Sequence, residues 1–314
     1  MEFLIEPDRL ELAEAVGDYL SGTHGPEVLR RLDAGANRDE AIWSGLVEMG
    51  LPGLLVPEEH GGLDLKLLDA ALVARECGRH ALGEPLVDTA FVTVPWLVAR
   101  GETDTLEAVA SGKARPTAAH RINGWQEDGN GSSLESVDPL RNLSPLDNAA
   151  SDDPLLIDLG ALMSAAQLLG LAEAMLDQAV EYSKVREQFG QPIGGFQAVK
   201  HKLADVAVAL EFARPVVWRA AQALDDGLGS ASLHVSHAKI AAGDAGYLAA
   251  ESAIQVHGAM GYTYEVDLHF WMKRAWALNG AWGSRGYHTA RIDRAIIGSD
   301  GAERHPIGPQ HTFA

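Results

Sequence analysis

The sequence predicts a mainly α-helical protein with an N-terminal helical domain, a short polar middle segment and a C-terminal antiparallel four-helix bundle. Three observations carry this. Apolar residues step by three and four along several long runs, the period of one helix face. Breaks between those runs hold Gly, Pro, Asp and Asn, the residues of turns. One zone, about 113–154, departs from the pattern, with Gly, Ser, Asn, Asp and Pro dominant and apolar residues sparse. The expected division is residues 1–112, 113–154 and 155–314.

In the first zone, Ile42, Leu46 and Met49 share one helix face, and Asp39 stands where an N-cap belongs. Leu51-Pro52-Gly53 ends that helix. Val56-Pro57-Glu58-Glu59-His60-Gly61-Gly62 is a turn-rich connector whose two glutamates read as a solvated loop rather than a catalytic pair. Leu67–His80 is a further helix, and the segment around Pro85 is expected to be mainly helical. In the middle zone two or three short strands are expected, for example around Arg115–Ile122, with a linker as the alternative. A complete barrel does not fit there.

The third zone is long helices. Leu162, Ala165, Leu169, Ala172, Leu176 and Ala179 form one seam. Phe196, Val199, Leu203, Val206, Leu210, Ala213, Val217, Ala220 and Leu224 form a second, interrupted by Pro215, where a kink is expected. Leu233–His257 and Val266–Leu278 complete the bundle. At about 1.5 Å per residue the first three helices are each roughly 35–45 Å long, and short turns at Gly190-Gln191-Pro192 and Asp225–Gly229 make neighbours antiparallel.

Composition narrows the function. Against 25 Lys and Arg stand 44 Asp and Glu, a formal charge of −19 over 314 residues. That balance argues against nucleic-acid binding and against an anionic membrane surface. No apolar run approaches the ~20 residues of a membrane span, and the acidic start, MEFLIEPDRLELAEAV, is unlike a secretory signal. A single cysteine, Cys77, forbids an internal disulfide and fits a reducing compartment, so a cytoplasmic location is expected.

Two segments break bundle logic. Val185-Arg186-Glu187-Gln188-Phe189-Gly190 sets an arginine fork, an amide, an aromatic ring and a glycine at one helix end. Those groups suit a pyrophosphate, a ligand edge and a flat ring. On the residues alone, a plain C-terminal cap explains them better. Gln255-Val256-His257-Gly258-Ala259-Met260-Gly261-Tyr262-Thr263 lets backbone approach a ligand closely, or simply ends a helix. His234 and His237 share a helix face but have no evident third ligand, so no metal site is expected. Trp271, Trp276 and Trp282 read as packing.

Together the two segments resemble those of the acyl-CoA dehydrogenase family. The first is similar to its R-x-x-F-G turn and the second to its Q-x-x-G-G-x-G-[FY] segment. Trp43–Leu51 followed by Val56–Gly62 resembles the family's N-terminal signature. The resemblance implies α,β-dehydrogenation of a CoA thioester with FAD as cofactor. A carboxylate base takes the α-proton and the flavin takes the β-hydrogen as hydride. It further implies an FAD shared across a subunit interface, with the adenine and pyrophosphate end held by Arg186, Gln188, Phe189, Gln255, Val256, Gly258, Ala259 and Gly261. An electron-transfer flavoprotein as electron acceptor belongs to the same implication.

Three departures follow. The usual middle β domain is reduced, Ala259 replaces the second glycine, and neither of the family's base positions holds a carboxylate. The commoner one aligns with Trp282 and the other with Gly160. Asp158 lies two residues from Gly160, about 200° round the helix. The resemblance therefore implies no catalytic residue here and a partner that supplies the glutamate: a hetero-oligomeric, α2β2 acyl-CoA dehydrogenase, of the kind acting on steroid-derived thioesters. A self-sufficient homo-oligomer using Asp158 or Glu265, and a flavin-free scaffold, are the alternatives.

Overall fold

Helix α1 (Pro7–Thr23) starts on a proline, whose missing N–H costs nothing in a first turn. α2 (Pro26–Asp33) follows in the same way. α3 (Glu40–Glu48) is capped by Asp39, whose carboxylate accepts from the Ala41 N–H. α4 (Leu67–Arg79) is the buried helix of this region. The stretch beyond Pro85 is wound as a π-helix over Val87–Thr93 and leads into α5 (Val94–Ala99). α6 (Leu106–Ala110) closes the region. The computed structural model describes residues 5–127, 134–146 and 149–297. The expected bundle limit of 314 and parts of the middle zone thus lie outside the described residues.

The bundle consists of α7 (Pro154–Val185), α8 (Gln197–Asp225), α9 (Ala231–His257) and α10 (Leu268–Gly280). α7 is its hub, packed against α8, α9, α10 and also α4, so one core joins the N-terminal region to the bundle. α11 (Arg285–Ile296) lies on α9. Pro215 sits inside α8, which continues through it. By length and composition α7 is apolar enough to cross a membrane, contrary to the sequence expectation, yet 94% of its most apolar window is buried inside the protein. It is a core helix, apolar all round because neighbours surround it.

The middle segment holds one antiparallel pair, β1 (Trp125–Glu127) and β2 (Leu143–Pro145), in the register Trp125↔Pro145, Gln126↔Ser144, Glu127↔Leu143. The strand expected around Arg115–Ile122 is absent. Only a single bridge, His120↔Ser151, forms there. The cause is local. The His120 ring accepts from the Ile122 N–H at 3.0 Å and the His120 carbonyl accepts from Asn123, which turns the chain instead of extending it.

Buried ion pairs fasten this segment down. Glu127 accepts from Arg141 at 3.0 Å and from Arg38 at 2.8 Å, and Arg141 also reaches Asp88. Arg274 on α10 pairs with Asp138 and donates to the Leu82 carbonyl. Removing one partner of such a pair costs about 3–5 kcal/mol, because the other charge is left buried. Trp271 and Trp282 are buried as expected, whereas Trp276 is 38% exposed and so is not a core residue.

Candidate functional site

α7 ends where the Arg186 N–H bonds back to the Tyr182 carbonyl. The chain then reverses in a two-residue hairpin between β3 (Glu187–Gln188) and β4 (Gln191–Pro192). Its tip, Phe189-Gly190, has φ of 53° and 81°, as a hairpin turn with two left-handed residues demands. Glycine takes that conformation freely. Phenylalanine pays about 1–2 kcal/mol for it. The Phe189 ring stands out in solvent, 93% exposed, edge-on to Phe196 at 6.1 Å.

A cavity of about 460 Å³ opens between this hairpin, the N-terminus of α8 and the C-terminus of α9. Gln188, Phe189, Gln255 and Val256 line it, joined by Phe196 and Lys202. Gly258, Ala259 and Gly261 lie in the turn that continues α9 rather than in the lining. Gly258 adopts φ 61°, ψ −134°, a region essentially reserved for glycine. A β-carbon on Gly261 would stand 2.9 Å from the Ile254 carbonyl, so packing demands that glycine. Ala259 is exposed. Arg186 is exposed beside the cavity without lining it, and its guanidinium bonds to nothing among the described residues. The Tyr182 and His257 rings stack at 4.3 Å and tie the two segments together. Burial lowers the His257 pKa, and its Nδ1–H donates to the Ala253 carbonyl at 2.8 Å.

An aromatic wall, two amides and a cation fit the adenosine and phosphate end of a dinucleotide such as FAD. Sequence reasoning missed Lys202. It shares a helix face with Ala198 and Val199, but only the docking of α8 against the hairpin turns that face to the cavity.

Gly160 and Trp282, the two positions that the sequence resemblance aligns with a base, meet in space. A β-carbon on Gly160 would lie 2.1 Å from the Trp282 ring. Trp282 is buried, with a left-handed φ of 57°, and the structure clamps it at both ends. Its N–H donates to Asn123 Oδ1 at 2.6 Å, and its carbonyl faces His288 Nε2 at 3.0 Å. Burial holds the His288 pKa down at about 4. Its Nε2–H donates to the Trp282 carbonyl, and its Nδ1 lies 3.1 Å from Ser236 Oγ, whose hydroxyl donates to the Ser232 carbonyl. Beneath it, the buried Lys239 ammonium donates to the last carbonyls of α10, Leu278 and Asn279.

Three other carboxylates bear on the choice of a base. Asp158 is buried, accepting from Arg291 and Ser232 at 2.5 Å each. Glu265 is exposed on the turn before α10. Glu84, unnoticed in the sequence, is buried, and desolvation raises its pKa to about 7. Such a shift is a mark of functional carboxylates. The cavity it lines is only about 10 Å³, room for one water and not for a thioester.

The model of the acyl-CoA dehydrogenase N-terminal domain matches residues 6–105, and that of the C-terminal domain matches residues 156–297. Acyl-CoA dehydrogenase IpdE2 of Mycobacterium tuberculosis is 33% identical over 85% of this chain and 91% of its own length. The chain belongs to the acyl-CoA dehydrogenase family. A longer relative, acyl-CoA dehydrogenase FadE34 of the same organism, is 30% identical over 92% of this chain and 48% of its own length. Among solved structures, the Mycobacterium tuberculosis ChsE4–ChsE5 complex superposes with a TM-score of 0.83 at 21% identity, covering 96% of this chain and 100% of that one. Butyryl-CoA dehydrogenase of Megasphaera elsdenii gives 0.79 at 21% identity, covering 95% and 100%. These likenesses to structures establish the fold, mainly helical with a reduced β segment, as the sequence predicts.

Proposed function

We propose that this acyl-CoA dehydrogenase chain is the non-catalytic subunit of a cytoplasmic, hetero-oligomeric α2β2 enzyme. Its partner supplies the glutamate base, the β domain and most of the thioester pocket. Residues 1–112, 113–154 and 155–314 serve as its helical domain, reduced β segment and cofactor-completing bundle. One observation carries the reading: the cavity at the far end of α7 is open, while the base position near its start is filled by Trp282 against Gly160. The face that would meet a neighbour's cofactor persists. The face that would do proton chemistry does not.

In this reading FAD, when bound, supplies the hydride acceptor. Phe189 and Phe196 wall the adenine, Gln188 and Gln255 offer amides to its edge, and Arg186 meets the pyrophosphate. Val256, Gly258, Ala259 and Gly261 supply backbone contacts. Trp282 and Gly160 exclude substrate from this chain's own base position. The substrate class we favour is a bulky, steroid-derived CoA thioester, with an electron-transfer flavoprotein as electron acceptor. Two solved structures of the same fold support looking there. One is the Tcur3481–Tcur3483 steroid ACAD, with a TM-score of 0.76, and the other is described as an electron transferring flavoprotein of Acidaminococcus fermentans, with 0.80.

Native mass spectrometry of this chain co-expressed with the dehydrogenase encoded beside it tests the assembly. The reading expects both chains in equal number with FAD bound, and a flavin-free mixture of separate chains contradicts it.

A further inference from the structure

The turn that carries Trp282 packs on two buried bases. His288 of α11 is 0% exposed and Lys239 of α9 is 2% exposed. Their hydrogen-bond partners among the described residues are all neutral. His288 faces the Trp282 carbonyl and Ser236 Oγ, and Lys239 donates to the Leu278 and Asn279 carbonyls. The surrounding elements offer no free countercharge. On α9, Asp244 is exposed and paired with Arg285 of α11. On α7, Asp158 is taken by Arg291 of α11. Lys239 and Arg291 are themselves cations acting against a charge on His288. α10 presents carbonyls, the middle segment presents the neutral Asn123, and Tyr287 sets its ring edge-on to His288.

Burying a cation without a countercharge is costly. Both bases show it: His288 is held down at about 4, and burial pushes Lys239 down to about 7. The turn packed on them is strained as well. Trp282 stands at φ 57°, a conformation that bulky side chains rarely adopt.

We propose that this turn is a proton-driven gate: acid favours a state in which His288 and Lys239 reach water, and the turn lifts the Trp282 indole off Gly160. The closed state binds fewer protons than the open one. Its advantage declines as pH falls, from about 10.5 to 7 for Lys239 and from about 6.5 to 4 for His288. The proposal goes beyond the subunit reading and does not depend on it.

Hydrogen exchange on the full chain tests it. The Trp282 backbone N–H is bonded to Asn123 Oδ1, so it exchanges when the turn opens. After correction for the intrinsic pH dependence of exchange, the opening constant should rise about tenfold between pH 8 and 6 through Lys239. His288 should add a factor of about thirty by pH 5. Leu169, buried in the middle of α7, should keep its protection throughout. Lys239→Met should remove the first rise. His288→Gln, which keeps a donor for the Trp282 carbonyl, should remove the second. The wild-type profile decides by itself if either variant fails to fold. An opening constant that stays level from pH 8 to 5 overturns the proposal. So does a rise that both variants retain, or one that Leu169 shows in parallel, because that is unfolding of the whole chain.

Discussion

The Trp282 indole occupies the space above the Gly160 α-carbon, where a β-carbon would come within 2.1 Å of the ring. The proposed function reads these as the two positions where a base would stand, and here one side chain fills both. The filling is held deliberately. Trp282 stands at φ 57°, its backbone N–H bonded to Asn123 Oδ1 and its carbonyl to His288 Nε2.

Gly160→Ala is the most economical probe of that contact. The added methyl forces the indole aside, and overpacking of this kind costs about 1–3 kcal/mol. Denaturant unfolding should show a loss in this range, with FAD content of the assembly unchanged. An undiminished midpoint would mean that the indole is not seated against Gly160.

Asp158→Asn separates a structural carboxylate from a catalytic one. Asp158 is buried in an ion pair with Arg291, and breaking such a pair costs about 3–5 kcal/mol. Stability should fall by that order while turnover per bound flavin holds. A base would behave in reverse, with the fold intact and the rate down by about 10²–10⁴.

Glu84 should make stability depend on pH. Its pKa is about 7 in the folded chain against an ordinary 4.5, so the folded state holds the proton more tightly than the unfolded one. The stabilising contribution is complete below about pH 4.5, declines as pH rises and is lost above about 7, a span worth roughly 3 kcal/mol. Glu84→Gln should flatten this slope and unfold at higher urea than wild type at pH 8. Parallel pH profiles for the two proteins would refute the assignment.

Phe189→Gly trades stability for binding. Relief of the left-handed φ should stabilise the chain by about 1 kcal/mol, while loss of the ring should weaken FAD retention in the assembly. Melting curves and flavin release measure the two effects on one sample. Retention of FAD at wild-type affinity would remove Phe189 from the site.

Much of this was legible locally. The expected third bundle helix, Leu233–His257, begins two residues inside the observed Ala231–His257, and Asp39 caps α3 as its position suggests. Helices announce themselves through a short apolar period. β1 and β2 do not, because Glu127 of β1 and Arg141 beside β2 are held by the distant Arg38 and Asp88, and the stretch read as a strand is bent by its own His120. Counting along the chain yielded Trp282 and Gly160 as separate absences. Only the packing of the α10 end on α7 reveals them as one contact. Lys202 and Glu84 were invisible for a related reason: which way a helical lysine faces and how deeply a loop glutamate is covered are set by elements far away in sequence.

The most direct test of the central claim is thioester desaturation by this chain alone, compared with its assembly with the partner. The account predicts no turnover from the isolated chain, enzymatic turnover from the assembly, and loss of that turnover when the partner's glutamate is replaced by glutamine. Desaturation by the isolated chain at the assembly's rate would contradict it.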